Sequence, residues 1–226
     1  MSTGSRVAEL VFSYGTMNCG KSTMALQIHH NAVAAGKHVR LFTKLDRGGT
    51  VISSRIGLSQ PATQVTDDLD LRAHVGDLVA AGTPVDELIC DEVQFYSPQQ
   101  IGQLARVVDE LDVDVHAFGL LTDFTSRLFP GSQRLLELAD RRQELQVQAR
   151  CWCGERGSQN ARTVDGEIQR TGAQVVVGDV DAGEVAYEVL CRRHFREGVT
   201  AATADHERDT ASAATPRRSS VGAPPT

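Results

Sequence analysis

The segment Gly15-Thr16-Met17-Asn18-Cys19-Gly20-Lys21-Ser22 fits G-x-x-x-x-G-K-[ST] at every fixed position. These residue types at this spacing suit a polyphosphate. Glycine lets backbone N–H groups curl around an anion with no Cβ in the way. A helix beginning at Lys21 aims the positive end of its dipole at the same charge. Lys21 adds a mobile cation for the β- and γ-phosphates, and Ser22 adds a hydroxyl for Mg²⁺. By composition alone, four such fixed positions arise in on the order of one in a hundred chains of this length. The loop also needs a strand before it and a helix after it. The apolar run Glu9–Ser13 and the stretch Lys21–Ala35 supply both. Cys19 reads as a small loop residue, with a thiol of lowered pKa as the sharper alternative.

A second chemical site follows about 70 residues later. Leu88-Ile89-Cys90 is an apolar strand that ends in Asp91-Glu92. In a phosphate-loop fold an Asp at a neighbouring strand end holds Mg²⁺, directly or through water. The adjacent acid points another way. It can act as a general base on an acceptor hydroxyl or orient a water, so Glu92 is the candidate catalytic residue. Thr43-Lys44-Leu45-Asp46 imitates the base-reading motif of GTPases. It lies too close to the phosphate loop to serve that purpose.

A third cluster suits a metal. Cys151-Trp152-Cys153 is followed by Cys191-Arg192-Arg193-His194. Three thiolates and one imidazole make a closed tetrahedral Zn²⁺ site, although the single residue between the first two cysteines is a tight spacing. With all four positions filled by protein such a site is structural. It would close residues 154–190 into a loop and order a glycine-rich segment that packing alone would not.

The elements that must carry these residues follow from the apolar pattern. Further strands are expected at His38–Thr43, Glu87–Cys90 and Val113–Leu120, with helices at Leu69–Ala81 and from Ser97-Pro98 to about Leu111. Gly36 and Gly82 stand at helix C-termini, and Ser97 with Pro98 makes a helix start. The β–α–β–α order gives a parallel sheet covered by helices. From about residue 150 the texture becomes β-rich. From Ala201 it reads as a solvated, disordered tail. The expected division is therefore 1–149, a nucleotide-binding α/β domain; 150–199, a small zinc-bound β-rich module; and 200–226, the tail.

Composition narrows the partners. The chain has 226 residues, 41% of them hydrophobic and 23% charged, which suits a globular protein. Its net charge of −6 disfavours binding to a polynucleotide backbone. Neither a secretory signal nor a run of about 20 apolar residues is present, so the reading is cytoplasmic, with no membrane partner. The cysteines are then thiols or metal ligands rather than disulfides.

Taken together, the motifs resemble thymidine kinases of the cellular type, a P-loop and zinc-lasso family, in its bacterial branch. The likeness spans about residues 9–196. It rests on GTMNCGKST, ICDEVQF, Gly119-Leu120-Leu121-Thr122-Asp123-Phe124, LFPGSQ at 128–133, CWCG at 151–154, VVVG at 175–178 and Tyr187-x-x-x-Cys191-Arg-Arg-His194. The resemblance implies that ATP phosphorylates the 5′-hydroxyl of thymidine, with deoxyuridine as a possible acceptor, and that Glu92 takes the proton. It implies nucleotide binding by residues 15–22, Arg47, Asp91, Glu92, Val93 and Gln94, with Arg55 a weaker second cation. Nucleoside binding falls to Phe124 under the base, to Gln174, Val175, Val176, Val177 and Gly178 through the backbone, and to Tyr187 near the sugar. It also implies a homotetramer and feedback inhibition by thymidine triphosphate. The family pattern places Gly-Gly where this chain has Gly178-Asp179. An ATPase driving a nucleic-acid machine, with Glu92 orienting water, is the competing reading, and a non-catalytic zinc-stabilised binding module is the third.

Overall fold

The computed structural model describes residues 7–44, 50–172, 174 and 185–205. The expectations for Arg47, for Val175 to Gly178 and for the tail beyond residue 205 lie outside the described residues.

The chain opens with β1 (Leu10–Gly15), α1 (Lys21–Ala34) and β2 (Val39–Thr43). A small hairpin, β3 (Val51–Ser53) and β4 (Ser59–Pro61), precedes the short β5 (Thr63–Gln64). Then come α2 (Leu71–Ala80), β6 (Glu87–Cys90), a single 3-10 turn (Val93–Phe95), α3 (Pro98–Leu111) and β7 (Asp114–Leu120). Next are α4 (Pro130–Leu138) and β8 (Arg141–Glu144). The last third holds β9 (Gln159–Val164), β10 (Glu167–Ile168), β11 (Val185–Leu190) and α5 (Arg192–Glu197).

Six strands form one parallel sheet in the order β5-β2-β6-β7-β1-β8. Helices cover both faces, so the central strands are apolar throughout rather than alternating. All four β6 residues are buried. Leu88 and Cys90 join Phe12, Phe42, Ile101, Leu104 and Leu135 beneath α2, α3 and α4. Ile89 points the other way, to Ala25 and Leu26 of α1 and to Leu41 and Phe118.

Local chemistry starts and stops the helices as the sequence suggests. The Ser97 hydroxyl accepts from Gln100 N, and the Gln100 carboxamide oxygen accepts from Ser97 N. Both caps occupy backbone N–H groups that would otherwise be orphaned at the start of α3. Asp70 caps α2 by accepting from Ala73 N. Gly36 and Gly82 adopt positive φ just past the ends of α1 and α2.

The final β elements form a separate three-stranded antiparallel sheet, β10-β9-β11. Sequence analysis anticipates a β-rich module here but not β9, β10 or their order. It also leaves out α4 and the edge strand β8, whose Arg-Arg-Gln-Glu sequence carries no apolar alternation.

Candidate active site

The site lies at the carboxyl ends of β1, β6 and β7, three adjacent strands of the sheet. This edge is where open α/β sheets bind ligands. Between β1 and α1 the phosphate loop turns through Asn18 and Gly20, both at positive φ. A Cβ on Gly15 would sit 2.4 Å from Cys19 Sγ, so any larger residue there requires the Cys19 side chain to move. The Lys21 ammonium is buried against its own loop, donating to Thr16 O at 2.9 Å. Gly20 supplies no side-chain cap, so the first-turn N–H groups of α1 face the loop.

Ser22 Oγ donates to Asp91 Oδ2 at 2.7 Å. This brings the helix-start hydroxyl and the strand-end carboxylate together, although they are 69 residues apart in the chain. Asp91 is 3% exposed. Burial pushes its carboxyl well above the usual range, and the charge of Glu92 adds to that. The Ser22 and Glu92 N–H bonds, with the Lys21 charge, pull it back.

Glu92 follows in a left-handed backbone conformation, φ 55°. A non-glycine residue pays for this conformation, which swings its side chain off the strand line. Its carboxylate accepts from the Gln94 carboxamide. Gln94 in turn accepts from Leu120 N, at the end of β7, at 3.0 Å.

The loop after β7 is organised by Asp123. Its Oδ1 accepts from Thr125 N, Thr125 Oγ1 and Arg127 N, and its Oδ2 accepts from Gln174 Nε2 at 2.8 Å. Burial opposes ionisation of Asp123, but the bonds from Thr125, Gln174 and Arg127 outweigh it and hold the carboxyl below its ordinary value. Gln174, expected to act through its backbone, reaches this loop through its side chain.

Strand β9 presses onto the same place. Asn160 and Arg162 project from one of its faces. Asn160 Oδ1 accepts from Met17 N of the phosphate loop at 2.9 Å, and its Nδ2 donates to Thr122 O at 3.1 Å. The Arg162 guanidinium lies 3.8 Å from the centroid of the buried Phe124 ring. Tyr187 pairs with Arg162 across β9 and β11 and is 39% exposed. Arg162, which sequence reasoning missed, therefore neighbours both residues expected at the nucleoside: Phe124 through its guanidinium and Tyr187 as its cross-strand partner. No local motif marks Asn160 or Arg162, because their partners are distant in the chain.

Lys44 of the GTPase-like motif is buried on the α3 side of the sheet, where it donates to Asp67 at 2.6 Å and Gln100 at 3.4 Å. Arg55 stands exposed in the turn between β3 and β4.

Cys151, Cys153, Cys191 and His194 converge at the foot of the β9–β11 ladder, with ligand atoms all within 4.8 Å of one another. Cys191 caps α5, its Sγ facing His194 N at 3.5 Å, and that bond draws its thiol below the ordinary value. Burial instead raises the Cys151 thiol. Trp152 stacks on the His194 ring at 4.3 Å and fixes its plane. Soft donors at this separation form a cluster able to hold a metal ion.

Comparison with known proteins agrees with this geometry. The family model for thymidine kinase matches residues 8–195. A thymidine kinase of Streptomyces coelicolor is 60% identical over 199 residues, covering 87% of this chain and 92% of that one. One from Cutibacterium acnes is 54% identical over 196 residues, covering 86% and 91%. One from Rhizobium etli is 40% identical over 200 residues, covering 87% and 97%. A likeness that spans the chain from the phosphate loop to the Cys/His cluster makes it a member of the thymidine kinase family.

Proposed function

We propose that the chain transfers the γ-phosphate of ATP to the 5′-hydroxyl of thymidine, giving ADP and thymidine monophosphate for DNA synthesis. The observation that carries this reading is the convergence of a phosphate loop, an Asp-Glu pair and the Thr122–Phe124 loop, which β9 joins to the phosphate loop through Asn160. Lys21 and the backbone of residues 15–22 hold the phosphates. The Ser22 hydroxyl and the buried Asp91 carboxylate, 2.7 Å apart, are the hard oxygen donors that Mg²⁺ prefers. When bound, that ion neutralises charge between the phosphates. Glu92 accepts the proton of the attacking hydroxyl. Phe124, Gln174 and Tyr187 border the nucleoside, and β9 keeps water from competing as acceptor.

The donor set of Cys151, Cys153, Cys191 and His194 fits Zn²⁺ with no open position, which makes that site structural. It closes residues 154–190 into a loop at the base of a lasso module, residues 150–199, which follows the nucleotide-binding domain, residues 1–149; the tail expected from residue 200 starts later, since Thr200 bonds to Gly166 O and Ala201 N to Glu188. The family likeness further supports a cytoplasmic homotetramer inhibited by thymidine triphosphate. Among the described residues no helix is long and apolar enough to cross a membrane.

The test is ADP release from ATP and Mg²⁺ with each common nucleoside in turn. Turnover only with thymidine or deoxyuridine supports the kinase. Turnover independent of nucleoside and raised by DNA or RNA would replace it with the ATPase. Glu92→Gln should abolish turnover while ATP still binds.

A further inference from the structure

Gln94 is 2% exposed, and both ends of its carboxamide are used inside the protein. Leu120 N can only donate, so the oxygen of the amide must face it. The nitrogen must then face the Glu92 carboxylate, and the amide cannot be flipped without breaking both contacts.

The surroundings leave the turn no freedom to drift. A Cβ on Gly119 would sit 2.8 Å from Gln94 Oε1 and 2.9 Å from Val93 Cγ2. A Cβ on Gly131 would sit 2.5 Å from Val93 O and 2.6 Å from Tyr96 O. The 3-10 turn thus lies directly on the backbone of β7 and on the first turn of α4. Leu120 is held from its other side as well, since Ser132 Oγ donates to Leu120 O at 2.5 Å. Two residues later the chain enters the loop of Thr122, Asp123 and Phe124.

We infer that Gln94 is a positioning residue for the reaction: it references the Glu92 carboxylate to Leu120, the residue from which the acceptor loop departs. This rests on the reading of Glu92 as general base. A half-buried glutamate has several rotamers of similar energy. The Gln94 amide selects one, so the base and the loop that carries the acceptor share one point of origin. Proton transfer needs that, because a base misplaced by about 1 Å costs roughly 100-fold in rate.

The experiment measures single-turnover rates and substrate affinities for Q94M, Q94E, E92Q and the double variant E92Q/Q94M. Q94M should lower the chemical rate about 10- to 100-fold, with thymidine and ATP affinities changed less than about threefold. Q94E keeps the acceptor for Leu120 N but loses the donor to Glu92, and it should fall at least as far. In the E92Q background, adding Q94M should change the residual rate less than about twofold, because the group being positioned is gone. The inference is overturned if Q94M costs the same factor with and without Glu92, if Q94E is the milder variant, or if Q94M turns over at the wild-type rate. Wild-type turnover by E92Q would remove the base itself and the inference with it, whatever Q94M does.

Discussion

Replacing Gly131 by alanine places a methyl group 2.5 Å from Val93 O and 2.6 Å from Tyr96 O, closer than the 3.0 Å below which real Cβ contacts essentially never fall. Both obstacles are backbone atoms, so no rotamer change relieves them. The 3-10 turn or the first turn of α4 must shift by about half an ångström. Overpacking of this kind costs about 3 kcal/mol, and the better helix propensity of alanine returns about 1, leaving a net loss of about 2 kcal/mol. For a chain of this size that corresponds to a melting point lower by about 6 °C. Gly102 in α3 is the control, because a Cβ there meets nothing within 4 Å. G102A should gain up to about 1 kcal/mol and melt slightly higher. Thermal melts and urea titrations of both variants test the pair, and G131A should lose turnover as well, since the displaced turn carries Glu92 and Gln94. A G131A protein that melts within about one degree of the wild type would refute the packing argument, as would a G102A protein that loses as much as G131A.

Lys21→Ala should cut steady-state turnover by at least about 100-fold, through loss of charge at the transferring phosphate; an unchanged rate removes Lys21 from that role. Cys153→Ser should release zinc on elemental analysis and lower the melting temperature, and wild-type protein without zinc would end the metal-tether reading. Asp123, held below its ordinary value of 3.8, contributes stability that is present above that pH and is lost as the pH falls through its lower folded value. Asp123→Asn should therefore flatten the acid limb of a stability profile below pH 3.8; a limb of unchanged slope assigns acid unfolding to other groups.

What could be read from the sequence was local. The phosphate loop declares itself because its glycines and Lys21 act within eight consecutive residues. Asp91-Glu92 is recognisable from the apolar strand it terminates, and the metal cluster from two short Cys/His pairs. The helix boundaries near Ser97, Gly36 and Gly82 follow from capping chemistry that spans three or four residues. The remainder depends on distance in the chain. Asn160 meets Met17 across 143 residues and Thr122 across 38. Arg162 finds Phe124 only because β9 folds back over the sheet edge. Strand β8 is charged and exposed at a sheet edge, so no periodicity betrays it, and α4 opens on Pro130-Gly131, which reads as a turn until the packing of Gly131 is seen. Gln94 looked like one more nucleotide contact; its part in aiming Glu92 depends on where β7 ends.

Asn160 has a thermodynamic consequence. One carboxamide grips Met17 in the loop proposed to receive ATP and Thr122 in the loop proposed to receive the nucleoside. It is carried on a strand that begins six residues after Cys153. Such a joint makes the two ligands partners in a linkage cycle: whatever free energy ATP gains from a settled acceptor loop, the nucleoside must gain in equal measure from a settled phosphate loop. The Cys/His cluster at the foot of that strand would then belong to the same cycle. The cost of loosening it would be felt first as a weakening of the cooperation between the substrates, before either site is lost.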